Sequence, residues 1–365
     1  MCQNVERSRD AKLERRAKPR RKTRSSSEAE TQNRHGERSR TTTLNTRKTR
    51  TTRHINIFFM KGLVLKSTGS FYQVIDEEGT IFRCRTKGKM RTLNKDTTNP
   101  VSVGDRVIFE KEGDVDEGMI SEVLERKNYI IRKSVNLSRQ AQILAVNMDL
   151  ALVVATPVYP RTSTGFIDRF LSTAEAYNIP AGVVFNKSDL YDKDVKAYVD
   201  ELSEMYRDVG YSTYIVSALK QETLTELKTV LKSKTTLFSG HSGTGKSTLV
   251  NALIPGLDLK TAEISAQHLK GKHTTTFAEM HPIPGGGYII DTPGIREFGI
   301  LEFDKYQVSH YFPEIFQASK ACKYGNCLHV NEKDCAVLKA IENSQIALTR
   351  YSSYISILNN EDIFK

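Results

Sequence analysis

Apolar and polar positions alternate along the chain from Met60 to about Lys127. The stretch KGLVLKSTGSFYQVIDEEGTIFRCRTKG has short apolar runs broken by TGS, DEEG and KGK, and VSVGDRVIFEKEGDVDEGMISEVLERK continues in kind. A period of two between turn signals predicts strands. About five short strands in some seventy residues predict a small Greek-key barrel of the OB type over residues 60–128. Barrels of this kind bind single-stranded nucleic acid in some proteins and serve only as structural modules in others, and the pattern leaves both readings open.

From about Ser134 to Gly299 the pattern switches to strands alternating with helices. DLALVVAT, AGVVFNK, STYIVSA, TTLFSG and GGGYIIDTPG read as strands. GFIDRFLSTAEAYN, DVKAYVDELSEMYRDVG, TLTELKTVLKSK and KSTLVNALI read as helices, the first from apolar residues at Phe166, Ile167, Phe170, Leu171 and Ala174. This alternation predicts an α/β domain over residues 134–300, with a mostly parallel sheet. From residue 301 to 365, FDKYQVSHYFPEIFQASK and CAVLKAIENSQIALTRYSSYISILNN predict a small helical domain interrupted by a cysteine cluster.

Charge divides the chain differently. Residues 1–59 carry 17 Lys and Arg against 6 Asp and Glu, which equals the net charge of +11 for the whole chain. The remainder is balanced, so a nucleic-acid role for the folded body must rest on local patches. The basic segment is rich in Arg, Ser and Thr and nearly lacks apolar residues before INIFF, a composition expected to be disordered. It reads as a basic arm, as a transit peptide, against which its acidic residues argue, or as upstream sequence joined to a protein that starts at Met60. The abrupt change in composition favours the last. No apolar run is long enough to span a bilayer as a helix, and with no visible signal peptide a reducing cytoplasm is expected.

Gly240-His241-Ser242-Gly243-Thr244-Gly245-Lys246-Ser247, followed by Thr248, fits a phosphate loop between a strand and a helix. Glycines let backbone amides converge on phosphate oxygens, and the helix adds its positive N-terminal end. Lys246 is expected to reach the β and γ phosphates and Ser247 to bind Mg²⁺. Asn186-Lys187-Ser188-Asp189 selects the base. Asp189 can accept from N1–H and the 2-amino group of guanine, donors that adenine lacks on that edge, and an unpaired buried carboxylate is costly. Ser217-Ala218, some thirty residues on, reads either as backbone near the guanine oxygen or as an ordinary strand end. Asp291-Thr-Pro-Gly294 ends a strand: Asp291 can hold Mg²⁺ through a water, and the Gly294 amide can sense a γ phosphate. Thr275 in GKHTTT is expected to complete the Mg²⁺ shell, in a loop that would order on the γ phosphate. Ile295 stands where many GTPases place a water-orienting glutamine, so turnover should be slow alone. His273 is the candidate to orient water, although a surface histidine is more often without such a role.

Cys322, Cys327, His329 and Cys335 supply three thiols and an imidazole within fourteen residues. That is the donor set of a closed, structural Zn²⁺ site rather than a disulfide framework. Cys2 and Cys84 have no partner pattern, and Cys84 reads as a core residue.

The base-reading loop here precedes the phosphate loop, the reverse of the usual order. Together with the barrel and the C-x4-C-x-H-x5-C cluster, and the phrases GHSGTGKST, GKHTTT, DTPGIREFG and CKYGNCLHVNEKDCAV, this order resembles the circularly permuted GTPases of small ribosomal subunit maturation in bacteria. The resemblance covers about residues 60–360. It implies a GTP hydrolase with Mg²⁺ and one structural zinc, stimulated by the small subunit and binding its rRNA near the decoding region as a late checkpoint. A monomer without membrane contact is expected. An RNA-binding scaffold that uses GTP only as a structural ligand is the alternative, and intact Lys246, Ser247 and Asp291 argue against it. The rejoined ends are expected in the helix TLTELKTVLK. The permutation also sets DTPG directly before the zinc-bearing domain, a placement expected to couple nucleotide state to that domain.

Overall fold

A computed structural model describes residues 57–88, 100–112, 116–133, 141–259, 278–291 and 304–359. The positions expected to matter at Cys2, His273, Thr275, Gly294 and Ile295 lie outside the described residues, as does the basic segment up to residue 56.

The expected barrel is present. Strands β1 (Ile57–Ser67), β2 (Tyr72–Asp76), β3 (Ile81–Thr86), β4 (Arg106–Glu112) and β5 (Glu117–Val123) pair in the order β1-β2-β3-β5-β4, and β4 returns to β1 to close the ring. Alternation puts Val64, Tyr72, Val74, Phe82, Cys84, Val107, Phe109 and Ile120 inside. Phe82 and Phe109 meet at 5.1 Å between ring centroids. Burial pushes the Cys84 thiol up to about 12, so this cysteine packs as a small apolar group. Strand β1 begins before Met60: Ile57, Phe58 and Phe59 pair with Glu112, Lys111 and Glu110. The 59/60 boundary drawn from composition therefore falls inside a strand, because the apolar residues Ile57, Phe58 and Phe59 already belong to it.

Strands β6 (Tyr129–Lys133) and β7 (Ala141–Val146) form an antiparallel ribbon that the sequence pattern did not reveal. It joins barrel to sheet through polar contacts of the connecting residues. Arg126 binds Asp105 with two bonds, at 2.7 and 2.8 Å. Asn128 Nδ2 donates to Met148 O, and the Met148 amide donates to Asn128 Oδ1, each at 2.8 Å.

The α/β domain contains β8 (Leu150–Ala155), α1 (Thr164–Ala176), β9 (Ala181–Phe185), α2 (Lys193–Val209), β10 (Ser212–Ile215), α3 (Thr225–Leu231), β11 (Thr235–Ser239), α4 (Lys246–Leu253), β12 (Glu279–Pro282) and β13 (Tyr288–Asp291). The sheet order is β10-β9-β8-β11-β13-β12, parallel except for β12. Every residue of β8 is buried, as expected for a strand covered by helices on both faces. Ala151, Val153 and Ala155 pack under α1 and α2 with Phe166, Phe170, Leu202 and Tyr206. Leu150, Leu152 and Val154 face α3 and α4, against Leu227, Leu231, Leu249 and Leu253. Strand β12 was not foreseen. Its outer edge meets the barrel at Lys66↔Glu279, where the two side chains also pair at 2.8 Å, so the sheets run on as one.

The C-terminal region contains α5 (Pro313–Ser319), α6 (Ala336–Glu342) and α7 (Leu348–Leu358) around Phe312, Ile315, Val337, Ile346, Tyr354 and Ile357. The run from Cys335 onward forms two helices, broken at Ser344. Ser344 takes the left-handed conformation (φ 56°), and the Ser344 and Gln345 amides turn back to Ile341 O and Ala340 O. This ends α6 and lets Ile346 fold into the core.

Candidate functional site

Four parallel strands, β8, β9, β10 and β11, end on one side of the sheet beside β13, and their loops meet there. Strand β11 runs into Gly240 and the loop closes at Gly245, where α4 begins. Two glycines are demanded by space. A Cβ on Gly240 (φ 153°) would lie 2.5 Å from Val154 O, and one on Gly245 (φ 82°) 2.6 Å from Asn186 Nδ2. The second contact carries information: the phosphate loop and the base-reading loop, distant in sequence, touch where no side chain fits.

Asn186 is buried and bridges three segments. Its Nδ2 donates to Thr244 O at 2.9 Å, and its Oδ1 accepts from the Ala218 amide at 3.2 Å. Its own carbonyl accepts from Tyr191 Oη at 2.8 Å. Asp189 accepts from Ser217 Oγ at 2.5 Å. The turn at Ser217-Ala218 is thus bonded to both Asn186 and Asp189. Lys187 sits in the left-handed region (φ 67°) and donates through Nζ to Tyr159 O at 2.8 Å. Ser188 starts a short 3₁₀ turn.

At the phosphate end Lys246, the first residue of α4, and Asp291, the last residue of β13, form an ion pair with both side chains mostly buried. Ser247 and Thr248 follow on the first turn of α4. Ser242 and Gly243 are exposed on the loop, while Thr244 is buried and its Oγ1 donates to His241 O at 3.0 Å. The His241 ring lies 3.7 Å, centroid to centroid, from Phe166 of α1.

Sequence reasoning missed the loop after β8. Pro160 packs 3.3 Å from where a Cβ on Gly243 would stand, and Tyr159 supplies the carbonyl that holds Lys187. The only local signal was PVYPRT, two prolines directly after a buried strand.

The four residues of the cysteine cluster come together with all ligand atoms within 4.8 Å of one another, so they could hold a metal ion. Cys322 Sγ to Cys335 Sγ is 3.8 Å and Cys327 Sγ to Cys335 Sγ is 3.7 Å. His329 Nδ1 lies 3.7 Å from Cys322 Sγ and 3.4 Å from Cys335 Sγ. Burial lowers the His329 pKa, which favours the neutral ring that ligates metal. The Glu332 carboxylate accepts from the amides of Leu328 (2.7 Å), Val330 (2.8 Å) and Asn331 (3.1 Å), and α7 clamps the same loop through Tyr351 Oη to His329 O and Tyr354 Oη to Leu328 O, each 2.7 Å.

The RsgA N-terminal domain family matches residues 61–120 and the RsgA GTPase family matches residues 123–301. Small ribosomal subunit biogenesis GTPase RsgA of Bacteroides fragilis is 54% identical over 83% of this chain and 97% of its own length. The chain belongs to the RsgA GTPase family. A second relative with that name, RsgA 2 of Bacteroides thetaiotaomicron, is 51% identical over the same shares. Among solved structures, YjeQ from Thermotoga maritima superposes with a TM-score of 0.69 at 34% identity, covering 83% of this chain and 98% of that one. YloQ, described as a circularly permuted GTPase, gives 0.65 at 29% identity, covering 84% and 96%. The RsgA family thus accounts for the barrel, the permuted motif order and the overall fold. Among the described residues no helix is long and apolar enough to cross a membrane.

Proposed function

We propose that this chain binds GTP with Mg²⁺ and hydrolyses it to GDP and phosphate when docked on the small ribosomal subunit, as a late step in that subunit's maturation. The observation that carries the reading is Asn186, which ties the phosphate loop at Thr244 to the base-side turn at Ala218. A bridge of this kind fixes the distance between a base reader and a phosphate cradle, the property a nucleoside triphosphate site needs.

In this reading Asp189 takes the N1–H and 2-amino donors of guanine, held in place by Ser217, while the Lys187 stem lies along the base and sugar. Amides of Gly240–Thr248 cradle the phosphates. Lys246 leaves Asp291 for the β and γ phosphates. That pair keeps two charges mostly buried at one spot, which favours turnover over a scaffold, since a structural ligand site has no need of a cation-holding carboxylate there. Ser247, Asp291 and Thr275 would hold Mg²⁺, which neutralises charge developing on the phosphates. Gly294 senses the γ phosphate, and His273 orients the attacking water in place of the residue that Ile295 cannot supply.

Cys322, Cys327, His329 and Cys335 would hold one structural Zn²⁺. Bonds of about 2.3 Å to sulfur and about 2.0–2.1 Å to nitrogen in a tetrahedron set edges near ~3.8 Å and ~3.6 Å, and the cluster shows 3.7 and 3.8 Å between sulfurs and 3.4 and 3.7 Å from sulfur to nitrogen. The partner is the small subunit and its rRNA, met by a cytoplasmic monomer. Steady-state GTP turnover with and without purified small subunits tests the proposal, with ATP as control. Slow turnover alone, raised at least about tenfold by the subunits and only for GTP, is expected. No stimulation, or equal turnover of ATP, overturns it.

A further inference from the structure

Arg350 on α7 is 1% exposed, the largest fully buried side chain among the described residues. Its guanidinium binds Glu314 of α5 through Nε (2.7 Å) and Nη2 (3.1 Å), and Asp168 of α1 through Nη1 (2.7 Å). Tyr206 Oη donates to the same Asp168 oxygen at 2.9 Å. The Phe312 ring lies 4.7 Å from the guanidinium carbon, Tyr211 5.6 Å and Tyr206 5.9 Å. Burial works against the arginine's charge, but the two carboxylates hold its pKa well above the ordinary value. One charged group therefore joins the metal-binding region to a helix of the nucleotide-binding domain.

That helix has a second attachment. Two residues before Asp168, the Phe166 ring packs at a tilt of 31° against His241 within the phosphate loop. Phe166 is itself 3% exposed and belongs to the core between α1 and the sheet. The N-terminal turn of α1 is fixed by Ser163, whose Oγ accepts from the Phe166 amide at 3.2 Å. A helix of thirteen residues moves as a rigid rod over so short a span. Whatever sets the height and rotation of α1 at Asp168 sets the position of Phe166, and with it one wall of the phosphate loop.

We propose that Arg350 is a positioning residue for nucleotide binding. It acts through Asp168 and Phe166 onto His241, so that the metal-bearing region holds the phosphate loop in its binding geometry. The proposal rests on the reading of Gly240–Thr248 as a phosphate cradle and adds an element far from it in sequence. Coupling of this kind is reciprocal: bound nucleotide should also tighten the metal-bearing region. The route runs entirely through residues 163–168, 241, 314 and 350, independently of the DTPG segment.

The test uses the full metal-loaded chain and a fluorescent GDP analogue. Arg350→Gln, Arg350→Lys and Phe166→Leu are compared with wild type for GDP-analogue affinity, metal content per chain, and the rate of metal release to a chelator with and without GDP. Arg350→Gln is expected to keep its metal and weaken GDP binding about tenfold, with Arg350→Lys recovering part of the loss. Phe166→Leu, which leaves the ion pairs intact, should weaken GDP binding by a similar factor and abolish the protection of metal by GDP. A merely structural arginine would lower thermal stability without moving GDP affinity or metal protection. If wild type binds GDP and Phe166→Leu and Arg350→Lys both bind it equally well, with metal release indifferent to GDP in wild type, the proposal is overturned and the nucleotide site stands. If wild type itself binds no guanine nucleotide, both fall. Should Arg350→Gln fail to fold, the other two variants decide.

Discussion

The cysteine cluster draws its four donors from fourteen consecutive residues, whereas the nucleotide site draws on loops after β8, β9, β10, β11 and β13, spread from Tyr159 to Asp291. The first is closed by its own backbone: Glu332 gathers three amides of one loop, and the left-handed residues His329 and Asp334 turn the chain onto itself. The second exists only when a parallel sheet has formed and brought distant strand ends side by side. Local sites tolerate little change in sequence spacing. Sites made from sheet ends tolerate a change of chain order, because adjacency in space is all they require, and the inverted order of NKSD and GHSGTGKST in this chain is an instance.

This contrast can be broken most severely by removing the metal. Chelation, or Cys335→Ser, is expected to reduce bound metal from about one per chain to near zero and to expose residues 304–359 to protease, while the β8–β13 sheet persists. Loss of the sheet as well would mean that the two regions do not fold independently. Next, Asp168→Ala leaves the Arg350 charge buried with one carboxylate fewer, and should lower stability to urea by about 3–5 kcal/mol. A change under ~1 kcal/mol would show the ion pair to be dispensable to the junction. Asn186→Ala removes a buried bridge with a donor and an acceptor bond, leaving Thr244 O and the Ala218 amide without it. A stability loss of about 1–3 kcal/mol is expected, together with weaker GDP binding in calorimetry and unaltered metal content.

The smallest effect concerns acid. Asp149, at the entry to β8, accepts from the Thr235 amide (3.0 Å) and Lys127 Nζ (3.0 Å). Burial alone would raise its pKa, but these donors hold it below the usual 3.8. A depressed folded-state pKa gives stability that is present above the unfolded value and lost as pH falls through the folded one. Urea melts of Asp149→Asn at pH 6 and pH 3 should therefore differ less than those of wild type. The acid part should be small because the group is partly exposed. An equal drop in both proteins would remove Asp149 from the account.

What was legible in the sequence follows the same division. The cysteine donors, the glycine loop and the buried run of β8 announce themselves by spacing. So did the five barrel strands, where alternation is clean. The ribbon β6–β7 and the strand β12 were missed because they are short and lack an uninterrupted apolar rhythm. The break between α6 and α7 could not be placed from the sequence, because a single serine at positive φ carries no pattern. The clamp at Arg350 was invisible for a deeper reason: Asp168 and Arg350 stand 182 positions apart, and each alone reads as an ordinary charged helix residue. Spacing shows residues that serve one loop, and only the fold shows residues that serve each other.

The claim at the centre is that Asp189, held by Ser217, reads guanine. Xanthine keeps N1–H but carries a carbonyl where guanine has its 2-amino group, so an amide at this position matches xanthine as a carboxylate matches guanine. Competition between GDP and XDP for wild type and Asp189→Asn measures this directly. Wild type should prefer GDP and the variant should prefer XDP, each by at least about tenfold. A variant that still prefers GDP would contradict the assignment of the base-reading site.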